Sequence, residues 1–177
     1  MLTFSLSSLM GGDPGISQTV QKIQQSVTYA LHEPRQVIRQ RAEALLRQYQ
    51  APERNDNLEI RSIFDWVKSH YHYVHDPRGI EYVKSPEVSD QEISDYGKFM
   101  GDCDDVSAYL AALFKSIGYQ VQLVVMTDIR SKDNDFQHIY AQIYSPQLKK
   151  WIPLDGTAKA KPFGWSAPAK RVKVYDV

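Results

Sequence analysis

The sequence has a single cysteine, no long hydrophobic run and no net charge. One cysteine cannot form an internal disulfide, so Cys103 is compatible with a reducing compartment. No stretch reaches the roughly 18 uninterrupted apolar residues that a membrane span requires. The 21 lysines and arginines balance the 21 acidic residues, which argues against broad affinity for nucleic acid. We therefore expect no membrane span and no nucleic-acid partner.

A chain of 177 residues is long enough for one domain with a packed core, without a structural metal or disulfide. The first residues, Met1-Leu2-Thr3-Phe4-Ser5-Leu6, include no basic residue. Because a secretory signal peptide begins with a basic region, none is predicted here.

Apolar residues recur at helical spacing in the first part of the chain, which predicts helices over 16–31, 34–49 and 56–70. Asp56 and Glu59 resemble a capping box at the start of the third helix. Residues 81–100 follow neither the helical nor the strand period, so we expect an extended and partly irregular loop there.

The second part of the chain changes from helix to strand. An apolar face over residues 102–117 that ends at Gly118 predicts a central buried helix. Strand-forming runs follow at 121–126, 139–144, 151–154 and 172–175. Their connections are too short for crossover helices, so the sequence predicts an α+β fold with an antiparallel sheet packed on helices.

Cys103 lies at the predicted start of the central helix. The first N–H groups of a helix have no partner within it, so they and the helix dipole stabilise a thiolate. This placement makes Cys103 a candidate nucleophile. We expect Asp102, just before it, to cap the helix with its side-chain oxygen on the N–H of a residue two or three positions further on. The alternative is a buried and unreactive cysteine, which is the more common case for this residue type.

His138 and Asp155 strengthen the interpretation of Cys103 as a nucleophile. His138 begins a predicted strand after a polar loop, where a general base can be both exposed and rigid. Asp155 ends the next strand. If the two strands form a hairpin, Asp155 lies beside His138 and can orient its ring. Taken singly, the two residues have a structural explanation as a strand histidine and a turn acid.

These residues occur in a pattern that resembles the transglutaminase-like superfamily of papain-type cysteine enzymes, over roughly residues 37–157. The motifs that carry the resemblance are Gly101-Asp102-Cys103-Asp104-Asp105, Tyr109-Leu110-Ala111-Ala112-Leu113, Ile117-Gly118-Tyr119, His138 and Trp151-Ile152-Pro153-Leu154-Asp155. Upstream, Ile63-Phe64-Asp65-Trp66-Val67 and Tyr73-Val74-His75-Asp76-Pro77 resemble the small versions encoded by bacteriophages and prophages.

The resemblance implies a papain-like fold in which Cys103 is the nucleophile, His138 the base and Asp155 the orienting acid. It implies no cofactor and no metal in the catalytic core. Animal transglutaminases carry an aromatic residue directly after the nucleophile and a tryptophan that donates to the oxyanion. Here Asp104 follows Cys103, and no tryptophan lies at 76–101. The candidate donors to the oxyanion are the Cys103 N–H and either Tyr82 or Tyr96.

From the resemblance we expect a cysteine-dependent protease, deamidase or transglutaminase-like enzyme, with hydrolysis favoured over crosslinking. The predicted division is an N-terminal helical extension, 1–33, and a catalytic domain, 34–177. We expect a protein or peptide substrate, phage structural proteins among the candidate partners, and a location in the bacterial cytoplasm or the virion. Two alternatives are a wall-peptide hydrolase of the NlpC/P60 type and a non-catalytic phage morphogenesis or interaction protein that retains the fold.

Two further clusters have ordinary explanations. His70, His72 and His75 lie within six residues, but on a helix the first two point to different faces, so we expect a polar helix end and no metal site. Residues 87–105 contain seven acids and one lysine. That stretch is either a solvated surface or the contact for a basic partner.

Overall fold

The computed structural model describes residues 4–6, 13–50, 55–77 and 81–177. These ranges contain five helices and eight strands. In chain order they are β1 (Phe4–Leu6), α1 (Asp13–His32), α2 (Val37–Gln48), α3 (Asp56–Ser69), β2 (Tyr71–Tyr73), β3 (Glu81–Val83), α4 (Pro86–Tyr96), β4 (Phe99–Gly101), α5 (Cys103–Ser116), β5 (Val121–Asp128), β6 (His138–Ser145), β7 (Lys150–Leu154) and β8 (Ala169–Asp176).

Helix α5 lies at the centre of the fold, as the sequence predicts. All its residues over 104–114 are buried. It packs against α1 and α2 on one side and against β5 and β6 on the other. The helix ends before Gly118, whose φ of 95° is a left-handed conformation that glycine adopts without strain. Because other elements enclose α5, packing holds the helix and its first residue, Cys103, in place.

Strands β5 to β8 form one antiparallel sheet in the order β7-β6-β5-β8. Ile139, Ala141 and Ile143 of β6 belong to the same core cluster as the α5 side chains. Tyr140 points to the other face, where it packs with Val124 and Met126. The α+β prediction, with the central helix packed on an antiparallel sheet, is confirmed.

The prediction of an irregular loop over 81–100 is wrong. Helix α4 occupies most of it, starting with Pro86 as its first residue and stopping at Gly97, whose φ is 76°. The face of α4 that is buried includes the polar residues Ser89 and Asp90 beside Ile93. Without a continuous apolar stripe, the helical period is not visible in the sequence.

The expected capping box of Asp56 and Glu59 is also wrong. Asn55 is the N-cap of α3, and its side chain accepts from the N–H of Leu58 at 3.1 Å. The Asp56 carboxylate instead accepts from the Ser145 hydroxyl at 2.7 Å and from the Gln147 N–H at 2.8 Å. Asp56 thereby ties the start of α3 to the end of β6.

Two short strand pairs complete the architecture. Strand β1 pairs with β3 in antiparallel fashion, and β2 pairs with β4 in parallel, with Tyr71 opposite Phe99 and Tyr73 opposite Gly101. Because β4 leads directly into α5, this second pair places β2 beside the start of the central helix.

The predicted division at residue 33 stays a prediction. Residues 1–3 and 7–12 of the proposed extension lie outside the described residues, while α1 contributes Val20, Ile23 and Val27 to the core that contains α5. Within the described ranges, no helix is both long enough and apolar enough to cross a membrane.

Candidate active site

Cys103 is the first residue of α5, and its side chain is partly exposed. The preceding residue, Asp102, caps the helix as we predicted: its Oδ1 accepts from the N–H of Asp104 at 3.2 Å. The Asp105 carboxylate completes the capping box by accepting from the N–H of Asp102 at 3.3 Å. These bonds fix the backbone on both sides of the thiol.

Asp105 also connects the start of α5 to the end of β3. Its Oδ1 accepts from the N–H of Lys84 at 2.6 Å. Burial raises the pKa of Asp105 to about 7, with the Asp102 charge adding to the shift and the Lys84 N–H opposing it. A side chain at Gly101 would place its Cβ 2.2 Å from Oδ2 of Asp105, so glycine is required before the cap.

His138 and Asp155 are joined by a hydrogen bond. The distance between Nε2 of His138 and Oδ2 of Asp155 is 2.9 Å, and only 4% of the Asp155 side chain is exposed. Oδ1 of Asp155 accepts from the N–H and the hydroxyl of Thr157 at 3.1 and 2.7 Å. Burial alone raises the pKa of Asp155, but the bonds from His138 and Thr157 outweigh it and hold that pKa below its usual value.

The chain after Asp155 approaches α5 closely. A Cβ on Gly156 would lie 2.5 Å from Cγ2 of Val106, a distance that a folded protein does not accommodate without movement. Glycine at this position therefore allows the end of β7 to pack directly on the first turns of the central helix. That contact brings Asp155 into the buried position where His138 meets it.

Ser107 connects the Cys103 turn to the strand of His138. Its hydroxyl lies 2.6 Å from the carbonyl oxygen of Cys103 and 3.3 Å from that of Ile139. The structure thus brings His138 and Asp155 together by a direct bond and links Cys103 to their strand through Ser107. Since Nε2 of His138 is engaged by Asp155, Nδ1 is the ring nitrogen left for a thiol.

Two tyrosines of β2 lie close to the start of α5. The Tyr71 hydroxyl is 3.0 Å from the carbonyl oxygen of Gly101 and 3.1 Å from that of Asp102, to either of which it donates. Burial, followed by negative charge at Cys103, raises the pKa of Tyr73 to about 12. Tyr73 lies opposite Gly101, two residues before Cys103, and its hydroxyl is 3.3 Å from Nδ1 of His75.

The part of the chain that holds these residues matches a protein family. The model of the transglutaminase-like superfamily matches residues 39–156, which is 118 of the 177 residues and includes Cys103, His138 and Asp155. The chain belongs to the transglutaminase-like superfamily. No curated protein matches the chain.

Solved structures similar to this superfamily member share little sequence with it. One, assigned as a cysteine protease from Cytophaga hutchinsonii, is 16% identical, with a TM-score of 0.45 over 77% of this chain and 50% of the other. Another, described as a TGase, is 17% identical, with a TM-score of 0.43 over 89% of this chain and 42% of the other. The chain thus spans half the length of the first of these proteins and less than half of the second.

Sequence patterns did not identify every residue around the superfamily's site. Tyr96, one of the two tyrosines considered as an oxyanion donor, is 76% exposed at the end of α4. The sequence patterns give no role to Tyr71 and include Tyr73 only within the motif at 73–77, although the alternation of the two is typical of a strand. The contact of Ser107 with Ile139 is not visible in the sequence, because it depends on the packing of α5 on β6.

The histidines and the acids near the site have structural partners. His70 stacks on Trp66 with ring centroids 4.4 Å apart, and His75 packs against Tyr73. In the described ranges, the only group of three metal-ligating types is Asp102, Asp104 and Asp105, whose oxygens lie within 4.8 Å of one another. Asp102 and Asp105 already serve in the capping box, so the group has a structural explanation.

Proposed function

We propose that this member of the superfamily is a cysteine-dependent amide hydrolase or acyl transferase. Cys103 is the nucleophile, His138 the general base and acid, and Asp155 the residue that orients His138. The observation that supports this best is the 2.9 Å bond between His138 and the buried Asp155, because it leaves a fixed imidazole on the strand that packs against the Cys103 turn.

In the first half of the reaction, His138 takes the thiol proton, and Sγ of Cys103 attacks the carbonyl carbon of an amide. The C–S bond forms as the carbonyl becomes an oxyanion. When the oxyanion collapses, the C–N bond breaks and His138 gives its proton to the departing nitrogen. The products of this half are a thioester on Cys103 and a free amine or ammonia.

In the second half, His138 removes a proton from water, and the oxygen attacks the thioester carbon. The C–S bond breaks, the acid is released, and the proton returns to the Cys103 thiolate through His138. If an amine attacks in place of water, the acyl group is transferred to that amine. Hydrolysis or deamidation fits the sequence better, because Asp104 stands where the crosslinking animal enzymes carry an aromatic residue.

The oxyanion has two candidate donors in this site. The Cys103 N–H is at a helix start, where it has no partner within the helix. The second is the Tyr73 hydroxyl, because Tyr73 pairs with Gly101, two residues before Cys103. If Tyr73 serves this role, Tyr73→Phe lowers kcat by about 10²- to 10³-fold with little change in KM.

A protein or peptide amide is the proposed substrate class. The phage and prophage likeness rests on the motifs at 63–67 and 73–77, and phage structural proteins are proposed partners on that ground. The proposed location is the cytoplasm of a bacterial host or the virion.

The single cysteine allows a direct test of the proposed nucleophile. Folded protein is treated with iodoacetamide at pH 6, and the alkylated Cys103 is quantified by mass spectrometry. We expect faster alkylation than that of a free thiol, because the helix start and a protonated His138 stabilise the thiolate. Cys103→Ala abolishes turnover and labelling while the protein stays folded.

The matched variants for this test are two histidine substitutions. His138→Gln removes the imidazole of the site, and we expect slower alkylation. His32→Gln removes a histidine on α1 whose Nδ1 lies 2.7 Å from the backbone oxygen of Thr28, and the alkylation rate should stay at the wild-type value. A thiol that reacts only in denaturant, or equal rates in both variants, would contradict the proposal.

A further inference from the structure

A cleft lies between the end of α1 and helix α4, and none of the three proposed catalytic residues lines it. Its volume is about 440 Å³. Tyr29, Glu33 and Arg35 line one side, and Glu87, Val88 and Tyr96 line the other. The acidic stretch noted in the sequence supplies Glu87 and two further carboxylates, Glu92 and Asp95, to the same cleft.

Glu33 is buried in the cleft with half of its carboxylate unsatisfied. Only 9% of its side chain is exposed. Oε1 accepts from Nε of Arg35 at 2.7 Å, whereas Oε2 is buried and has no hydrogen-bond partner among the described residues. A buried carboxylate oxygen without a donor is costly, and native proteins seldom leave one without a reason.

Glu87 lacks hydrogen-bond donors for both of its carboxylate oxygens. Oε1 and Oε2 are buried, and neither makes a hydrogen bond of acceptable geometry within the part of the chain that the structure describes. The N-cap Ser85 and the Glu87 N–H stabilise the charge only in part, so burial prevails and raises the pKa of Glu87. Three buried carboxylate oxygens of two residues therefore line one cleft without donors.

The other carboxylates at the cleft each accept a hydrogen bond. Glu92 accepts from Nζ of Lys84 at 2.9 Å, and Asp95 accepts from Gln91 at 2.8 Å. Arg35, the cation of the lining, forms an ion pair with Oε1 of Glu33, and 78% of its side chain is exposed. Among the described carboxylates of the cleft, the buried oxygens without a donor are thus those of Glu87 and Oε2 of Glu33.

Aromatic side chains stand at the cleft beside these carboxylates. Half of Tyr29 and 76% of Tyr96 are exposed. A cation that enters the cleft can pass against the face of a tyrosine ring and then meet a carboxylate. Carboxylates with exposed aromatic rings are suited to an ammonium or guanidinium group on an apolar stem.

We propose that this cleft binds the cationic side chain of a lysine or arginine in a basic peptide segment of a partner protein. The Glu87 and Glu33 carboxylates turn toward the cleft as the cation enters, and the cation gives their buried oxygens the hydrogen-bond donors that they lack. The side-chain stem packs between Tyr29 and Tyr96. A bare metal ion is a poorer occupant, because a space of about 440 Å³ is far larger than a compact shell of oxygen ligands. This binding site does not depend on the proposed catalytic activity.

The test measures binding of a fluorescein-labelled pentalysine peptide to the whole chain by fluorescence anisotropy, at low and at physiological ionic strength. We expect saturable binding that weakens with salt, and no binding of the same peptide with its lysines acetylated. Pentaarginine shows whether a guanidinium is preferred over an ammonium. Failure of pentalysine and pentaarginine to bind at low ionic strength would overturn the proposal.

Two substitutions, each of which removes one carboxylate charge, distinguish binding at this cleft from general electrostatic attraction of the peptide. Glu87→Gln changes the cleft, and we expect about tenfold weaker binding, the effect of one partly buried charge pair. Glu43→Gln changes an exposed carboxylate on α2, 40% exposed and paired with Arg39, and binding should change by less than about twofold. Equal losses in the two variants would mean that the peptide senses only overall charge.

The melting temperature of Glu87→Gln distinguishes a binding role of Glu87 from a structural one. If Glu87 serves binding, Glu87→Gln melts at or above the wild-type temperature, because a buried unpaired charge has been removed. A lower melting temperature together with unchanged peptide binding would assign Glu87 to structure and overturn the proposal. So would stabilisation by Ca²⁺ or Mg²⁺ that is lost in Glu87→Gln and has no counterpart with the peptide.

Discussion

Asp155 is buried, with 5% of its surface exposed, and the groups around it keep it ionised. His138 donates to one oxygen, and Thr157 donates twice to the other. These three bonds explain why the pKa of Asp155 lies below its usual value despite burial. The same bonds select the His138 tautomer that carries its proton on Nε2, which leaves Nδ1 as the basic nitrogen.

Replacing Asp155 by asparagine keeps the shape of the side chain but removes the charge. The amide can turn its N–H toward Nε2 and favour the wrong tautomer of His138. We expect kcat/KM to fall by about 10³- to 10⁴-fold, with little loss of folding. Turnover of a peptide amide is the measurement, and Asp65→Asn, on the exposed face of α3, is the control. Near wild-type activity of Asp155→Asn would remove this residue from the site.

Asp105 differs from Asp155 in the sign of its pKa shift, so it has the opposite effect on the pH dependence of stability. Its pKa is raised to about 7 in the folded protein, against about 4 in the unfolded chain. The folded state therefore binds more protons between these values. Stability contributed by the protonated carboxyl is complete below pH of about 4 and is lost as pH rises toward 7.

We expect this part of the pH dependence to be absent in Asp105→Asn. Chemical unfolding at pH 5 and pH 8 should show a larger loss of stability on raising the pH for the wild type than for the variant. Asp65→Asn removes an exposed carboxylate and should retain the wild-type dependence. Identical slopes in all three proteins would show that Asp105 is ionised at both pH values.

At the level of elements, the sequence predicts α5 and the four strands of the main sheet closely, because their apolar periods are uninterrupted. It also predicts that Asp102 caps α5 and that Asp155 returns beside His138 in a hairpin. It fails for α4, whose buried face is partly polar. It fails again for the start of α3, where Asp56 serves the β6 end and not the helix. Such choices depend on contacts between elements that are distant in the chain.

Asp102 and Asn55 each cap a helix with a side-chain oxygen, which accepts from the N–H of Asp104 in α5 and of Leu58 in α3. The two helix starts can therefore be compared. We expect Asp102→Ala and Asn55→Ala each to lower stability by about 1 kcal/mol. Only Asp102→Ala should change the alkylation rate of Cys103, because only α5 begins at the thiol. Urea unfolding and the pH profile of alkylation are the measurements. An equal effect of both substitutions on the alkylation rate would mean that the cap does not act on the nucleophile.

At the scale of the whole molecule, α1 contributes to the single large core of the described residues. Ile23 is fully buried in the cluster that includes the α5 side chains. This packing bears on the proposed division at residue 33, because a catalytic domain that begins at 34 would leave this side of α5 in water. The helical extension and the domain are therefore expected to fold together.

Ile23→Ala tests the contribution of α1. A fully buried isoleucine that becomes alanine costs about 2–5 kcal/mol, whereas Leu58→Ala, at a site 43% exposed on α3, should cost less than about 1 kcal/mol. Urea unfolding measures both. A loss no greater for Ile23→Ala than for Leu58→Ala would indicate that α1 is a dispensable addition to the catalytic domain.

The order β7-β6-β5-β8 leaves two strands whose outer backbone groups are open to another chain. On β7, Pro153 has no N–H to donate, and the strand is only five residues long. On β8, Lys170 and Lys173 place like charges along the edge, and a second copy would bring the same charges against them. The sheet is therefore poorly suited to growing by addition of a neighbouring copy. In a crowded solution of nascent or partly folded chains, these two edges protect the protein from aggregation through its sheet.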